Sequence, residues 1–136
     1  MSKANPKTII VTGASQGIGA SLATAFVERG YNVVANAFNF TGSAITSNGK
    51  LVVVEGNIGK ASTAGEVAEA AIQRFGSIDG VVNNAGIFFT KRFTDYTSED
   101  FERLAETNLG HCRCSGLSHR SAPRNCGGAA CGRRRA

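Results

Sequence analysis

The first 110 residues contain no cysteine, and the whole chain has no tryptophan, one methionine and two prolines. A cysteine-free body excludes a disulfide framework and a thiolate metal site there, so nothing in it calls for an oxidising compartment. No apolar run reaches the roughly 20 residues that a membrane-spanning helix needs. The start, MSKANPK, lacks the hydrophobic stretch of a secretory signal. These absences predict a cytoplasmic protein without a membrane partner. Acid is missing as well, but only locally. Residues 111–136 hold six arginines and no Asp or Glu, whereas residues 1–110 hold nine Lys or Arg and ten acids. The net charge of +5 therefore averages a body of −1 and a tail of +6. With 136 residues the chain has room for one domain at most.

The body alternates strand-like and helix-like segments. TIIV at Thr8–Val11 is β-branched and ends at Gly13, as a buried strand does. From Gly17 the period lengthens: Ile18, Leu22, Ala25 and Phe26 share one helical face, and Gly30 closes the helix. YNVVANAF and LVVVEG read as second and third strands. Next comes a helix from Thr63 to Gly76, with Thr63 and Glu66 at capping-box spacing and Ala68, Ala71, Ile72 and Phe75 on its apolar face. A fourth strand is predicted at about residues 80–83. A last helix follows TSED, with Thr97 as N-cap and Phe101, Leu104, Ala105 and Asn108 on one face. Alternation of this kind with Val/Ile-rich strands predicts an α/β fold, a doubly wound parallel sheet covered on both faces. Right-handed crossovers give the strand order 3-2-1-4. The fourth strand is then expected as an open edge, which favours aggregation.

TGASQGIG, Thr12–Gly19, falls between the first strand and the first helix, where a phosphate-binding turn belongs. Gly13 permits the tight turn, Gly17 allows close approach of backbone to a pyrophosphate, and Gly19 allows the helix to pack closely on the sheet. The helix N-terminus adds unpaired N–H groups and partial positive charge.

TGASQGIG, NNAG at Asn83–Gly86 and TNLG at Thr107–Gly110, in this order and spacing, resemble the short-chain dehydrogenase/reductase family over about residues 7–110. That resemblance implies an NAD(P)-dependent oxidoreductase of Rossmann type acting on a small-molecule substrate. Carried onto this sequence, it gives Gly13, Gly17 and Gly19 the dinucleotide phosphates and sets Ser15 and Ile18 along the turn. Asn57 and Ile58 stand where the family usually has an acidic residue contacting adenine. Asn83, Ala85 and Gly86 would lie beside the cofactor ribose, although Asn83 is equally suited to tying the central strands together. The cofactor is NAD or NADP. NAD readers place an acid near the end of the second strand, where this chain has Asn36 or Ala37. With neither an acid to repel a 2′-phosphate nor an arginine to attract one, NADP is slightly favoured.

The family's proton chemistry uses a Tyr, a Lys four residues later, a Ser and an Asn. A neighbouring ammonium moves the phenol, ordinarily near pKa 10, toward neutrality. Here Tyr31 is followed four residues on by Ala35 and Tyr96 by Asp100, and the last lysine is Lys91. Only Asn108 matches the catalytic set, and without partners its simpler role is to hydrogen-bond backbone. The expectation is a partial cofactor-binding domain over residues 1–110 that does not turn over. Its oligomerisation is doubtful, because the family's usual interface region is missing. Insolubility or a molten state is expected unless a partner covers the open edge.

Residues 111–136 read differently. Shifting the frame by one nucleotide turns the codons of His111, Cys112, Arg113 and Cys114 into codons for mostly small or apolar residues, as a helix continuation would need. A frameshift near Gly110 would thus explain the cysteines, the absent acids and the early stop. A zinc site on Cys112, Cys114, Cys126 and Cys131 is disfavoured, because C-x-C and C-x₄-C separated by eleven residues is not a paired C-x₂-C pattern. No metal is therefore assigned. The arginines come without aromatics for base stacking, which argues against nucleic acid as a partner. The tail is expected to be disordered and solvated.

Overall fold

A computed structural model describes residues 5–110. The expectations for the tail, including disorder, the frameshift boundary and Cys112, Cys114, Cys126 and Cys131, lie outside the described residues. The elements run β1 (Thr8–Thr12), α1 (Gly17–Glu28), β2 (Asn32–Ala37), β3 (Leu51–Glu55), α2 (Ala61–Phe75), β4 (Gly80–Val82), a short 3-10 turn at Phe93–Asp95 and α3 (Ser98–Gly110). The four strands form one sheet in the order β3-β2-β1-β4, as the alternation predicted. All three pairings are parallel, with Val11 beside both Ala35 and Val82.

Two apolar layers sandwich the sheet, because alternate strand residues face opposite sides. Ile10 and Val34 point to the α2 side and pack with Ile58, Ala64, Val67, Ala71 and Ile78. Val11, Val33 and Ala35 point to the α1 side and pack with Ala14, Ala23 and Leu51. Each fully buried Val or Ile here contributes roughly 1.5–3 kcal/mol. Gly30, at φ +89°, ends the first helical segment in the left-handed conformation that glycine adopts without strain.

Three local expectations need correction. α2 starts at Ala61 with Lys60 at its N-cap and no side-chain cap, so Thr63 does not form a capping box. Thr63 sits inside the first turn and is buried, its methyl packed over Gly56. Ile18 is not on the buried face of α1. That face is Gly19, Leu22, Ala23, Phe26 and Val27, while Ile18, on the first turn, is 73% exposed. Phe101 is likewise exposed, and α3 buries none of its residues, since no described strand lies beyond β4 for it to cover. Thr97 does cap α3: its Oγ1 accepts from Asp100 N–H at 3.3 Å and its own N–H donates to Asp100 Oδ2 at 3.0 Å. The reciprocal pair is a capping box with Asp at the third position.

Candidate functional site

The C-terminal ends of the strands open onto a cleft of about 640 Å³. Its floor is built from the exit of β1. Thr12 is fully buried, and its hydroxyl joins two loops: it donates to Val82 O at 3.3 Å and accepts from Asn84 N–H at 3.1 Å and Ala85 N–H at 3.0 Å. The Asn84 amide reinforces this by donating to Thr12 O at 3.1 Å and Gly13 O at 3.2 Å. Gly13 has φ +66°, and a Cβ there would stand 2.8 Å from Ala85 Cα. A Cβ on the buried Gly19 would collide with the Gly13 carbonyl. Gly17, at φ +58°, faces open space at the start of α1. The Gln16 N-cap makes no side-chain hydrogen bond, which leaves first-turn N–H groups available to an anion. A bare helix start, a left-handed glycine with nothing in front of it and a fixed turn behind it together suit a pyrophosphate.

Of the residues anticipated from sequence, Gly13, Ser15, Gly17, Ile18, Asn36, Asn57, Ile58, Ala85 and Gly86 line the cleft. Gly19, Asn83 and Asn108 do not. Gly19 serves from behind, by leaving room for the turn. Asn36 lines the cleft, but its amide is committed elsewhere, donating to Val54 O at 2.9 Å and Gly56 O at 3.3 Å. Its backbone carbonyl accepts Ala14 N–H at 2.9 Å, so Asn36 stitches β3 and the glycine turn to β2. Asn57 Oδ1 accepts from Gly59 N–H at 2.9 Å in a local turn ahead of α2. Asn83 is exposed, and its neighbour Asn84 ties the loop after β4 to the glycine turn.

Asn108 grips the loop after β4. Its Oδ1 accepts from Ile87 N–H at 2.7 Å and its Nδ2 donates to Ile87 O at 3.0 Å, the backbone-bonding role that its missing partners suggested. Neither tyrosine lines the cleft. Tyr31 packs edge-on against Phe26, and the Tyr96 hydroxyl donates to Phe89 O at 3.0 Å. Lys91 pairs with Asp100 at 2.7 Å. That ammonium first, and the Thr97 N–H second, hold the Asp100 carboxyl below the usual carboxylate range. Sequence reasoning missed Thr12 and Asn84, and also Phe38, Arg103 and Glu106, which line the cleft. The doubled Asn of NNAG was the available signal, but strand periodicity stops before it and does not say which Asn turns inward.

Comparison with known proteins agrees with this geometry. The family model described as short chain dehydrogenase matches residues 7–117. The chain belongs to that family. An uncharacterized oxidoreductase of Methylorubrum extorquens is 38% identical over 116 residues, covering 80% of this chain and 47% of the relative. The 3-oxoacyl-[acyl-carrier-protein] reductase of Staphylococcus epidermidis is 34% identical, covering 76% and 45%. A Brucella melitensis 3-ketoacyl-(acyl-carrier-protein) reductase solved with NADH superposes with a TM-score of 0.73 at 28% identity, covering 79% of this chain and 46% of that one. The chain spans about half the length of the curated relatives it matches. Among the described residues, no helix is long and apolar enough to cross a membrane.

Proposed function

We propose that this short-chain dehydrogenase family member holds a nicotinamide dinucleotide in the cleft and that the 136-residue polypeptide does not turn it over. The observation that carries the reading is the turn Thr12–Gly19, locked from below by Asn84 and opening at Gly17 onto a bare helix start. A nicotinamide dinucleotide, when bound, supplies a hydride donor or acceptor for a carbonyl or alcohol of small-molecule size. The chain's own contribution is to bind and orient: first-turn N–H groups toward phosphate, Gly13 and Ala85 in close backbone contact, and Ile58 as an apolar wall. Absence of turnover is supported by the sequence, where no tyrosine is followed four residues later by lysine. Its location is proposed to be cytoplasmic.

NADP is preferred over NAD in this reading. A smaller pocket beside the cleft, past the end of β2, is bounded by Asn39, Thr41 and Ser43 and contains neither acid nor cation. Its lining residues carry no charge to repel a 2′-phosphate, and neutral donors are present; Glu55 stands nearby, its carboxylate accepting Phe40 N–H at 2.9 Å. Titrating the full chain with NADPH and NADH tests both parts. The expected result is binding of both, tighter for NADPH, with no consumption of reduced cofactor when aldehydes or ketones are added. Tighter NADH binding would reverse the cofactor preference, and consumption would refute the absence of turnover. Failure of both to bind would remove the reading.

A further inference from the structure

Beside the cleft lies a hollow of about 390 Å³, lined by Ile87, Phe88, Phe89, Lys91, Asp100 and Arg103 among others. Ile87 and Arg103 line both spaces, so the two share a wall. The loop that shapes the hollow is folded on itself. Asn108 holds Ile87 at both backbone atoms, the Tyr96 ring stacks on Phe89 with centroids 6.2 Å apart, and Lys91 N–H donates to the Tyr96 hydroxyl at 3.3 Å. The charges there do not cancel. Lys91 is taken by Asp100 in the one ion pair among the described residues. Arg103 pairs with no described carboxylate; its guanidinium carbon stands 5.9 Å from the centre of the Phe89 ring. Glu106, one turn further along α3, lines the cleft but not this hollow. Phe88, 86% exposed, adds apolar surface.

We infer that this hollow receives the carboxylate of a small carbonyl compound and that Arg103 is the residue that selects it. This rests on the proposed dinucleotide reading and names the substrate class of the same site. A guanidinium presents its donors as a planar fork that matches a carboxylate. Contact with an aromatic ring uses its charge without consuming those N–H donors. Lys91 does not compete for the anion, because Asp100 neutralises it, so Arg103 carries the uncompensated charge of the hollow. Ile87 and Phe88 offer the body of the compound apolar contact, and the shared wall lets its carbonyl enter the cleft while its carboxylate stays in the hollow. A neutral carbonyl compound gains the apolar contact alone. In a polypeptide without turnover this selection is read as binding.

Calorimetry on the full chain tests this, first with NADPH and then, at saturating NADPH, with benzoylpropionate and its methyl ester. The acid is expected to bind about tenfold tighter than the ester or better, the gap that a hydrogen bond to a charged group leaves. Arg103→Gln should close that gap by weakening the acid alone. Arg103→Lys should restore part of it, because the charge returns without the fork. Phe88→Ala should weaken acid and ester alike. If the parent binds NADPH but does not favour the acid, the inference falls and the dinucleotide reading stands. The same holds if Arg103→Gln keeps the gap. A parent chain that does not bind NADPH removes both.

Discussion

Residues up to Ile78 and residues after it are held in different ways. Every buried residue among those described lies at or before Ile78, most of them in two apolar layers on either face of the sheet. From Asp79 to Gly110 none is buried: β4 pairs with β1, Val81, Val82 and Ala85 pack on the margins of the two layers, and the rest is held by polar bonds, namely the Asn84 amide on the glycine turn, the Asn108 grip on Ile87, and the Thr97–Asp100–Lys91 set at the start of α3. The difference separates what sets stability from what sets the site. The first region supplies hydrophobic free energy and the rigid strand ends. The second supplies orientation, and it tolerates change except where a bond reaches back to the first.

The largest expected effect tests that division directly. Ile10→Ala should cost about 2–5 kcal/mol in urea unfolding, as loss of a fully buried side chain does. Leu109→Ala, on exposed α3 surface, should stay within about 0.5 kcal/mol of the parent. Similar costs at the two sites would erase the contrast. Next, Gly19→Ala should destabilise by about 1–3 kcal/mol, because its methyl meets the Gly13 carbonyl, and dinucleotide binding should be lost with the turn. Unchanged binding with unchanged stability would mean that the turn is not locked.

Asn84→Ala removes the amide donor from Thr12 O and Gly13 O and should cost about 1–3 kcal/mol. Nucleotide affinity should fall more steeply than stability, since the turn loses its support while the core layers stay intact. The smallest effect is at Asp100, whose carboxyl is held low by Lys91 and Thr97. A depressed folded value means that the contribution is present above the unfolded carboxylate range, near pH 4, and is lost as pH falls through the folded value. Amide protection in the first turn of α3 should therefore hold from neutral pH down to about pH 4 and decline below it. Asp100→Asn should remove that acid step, and an unaltered step would assign it to another group.

The sheet was legible because its evidence is local and repeated: β-branched runs, helical periods and glycines at the joints determine strand order through crossover handedness. The glycine turn was legible for the same reason. Periodicity failed at element ends. Ile18 and Phe101 fit their helical periods, but each lies where the described residues offer no partner surface, which periodicity alone does not reveal. Thr63 and Glu66 match a cap pattern, yet the helix had begun two residues earlier, which turns a capping residue into a core one. Asn84 and Thr12 were missed because their partners lie some 70 residues away, as the 72-residue separation of their bonds shows. Phe38 looked like the end of a strand, and only the fold shows that its ring is left uncovered beside the cleft.

Hydrogen–deuterium exchange of the 136-residue chain with and without NADPH tests the central claim most directly, with the absorbance of the reduced nicotinamide followed in the same sample. The account predicts slowed exchange at the amides of Gly13–Gly19 and Ala85–Gly86, with no loss of that absorbance when a carbonyl compound is present. Exchange unchanged at the glycine turn, or oxidation of the cofactor by the isolated polypeptide, would contradict it.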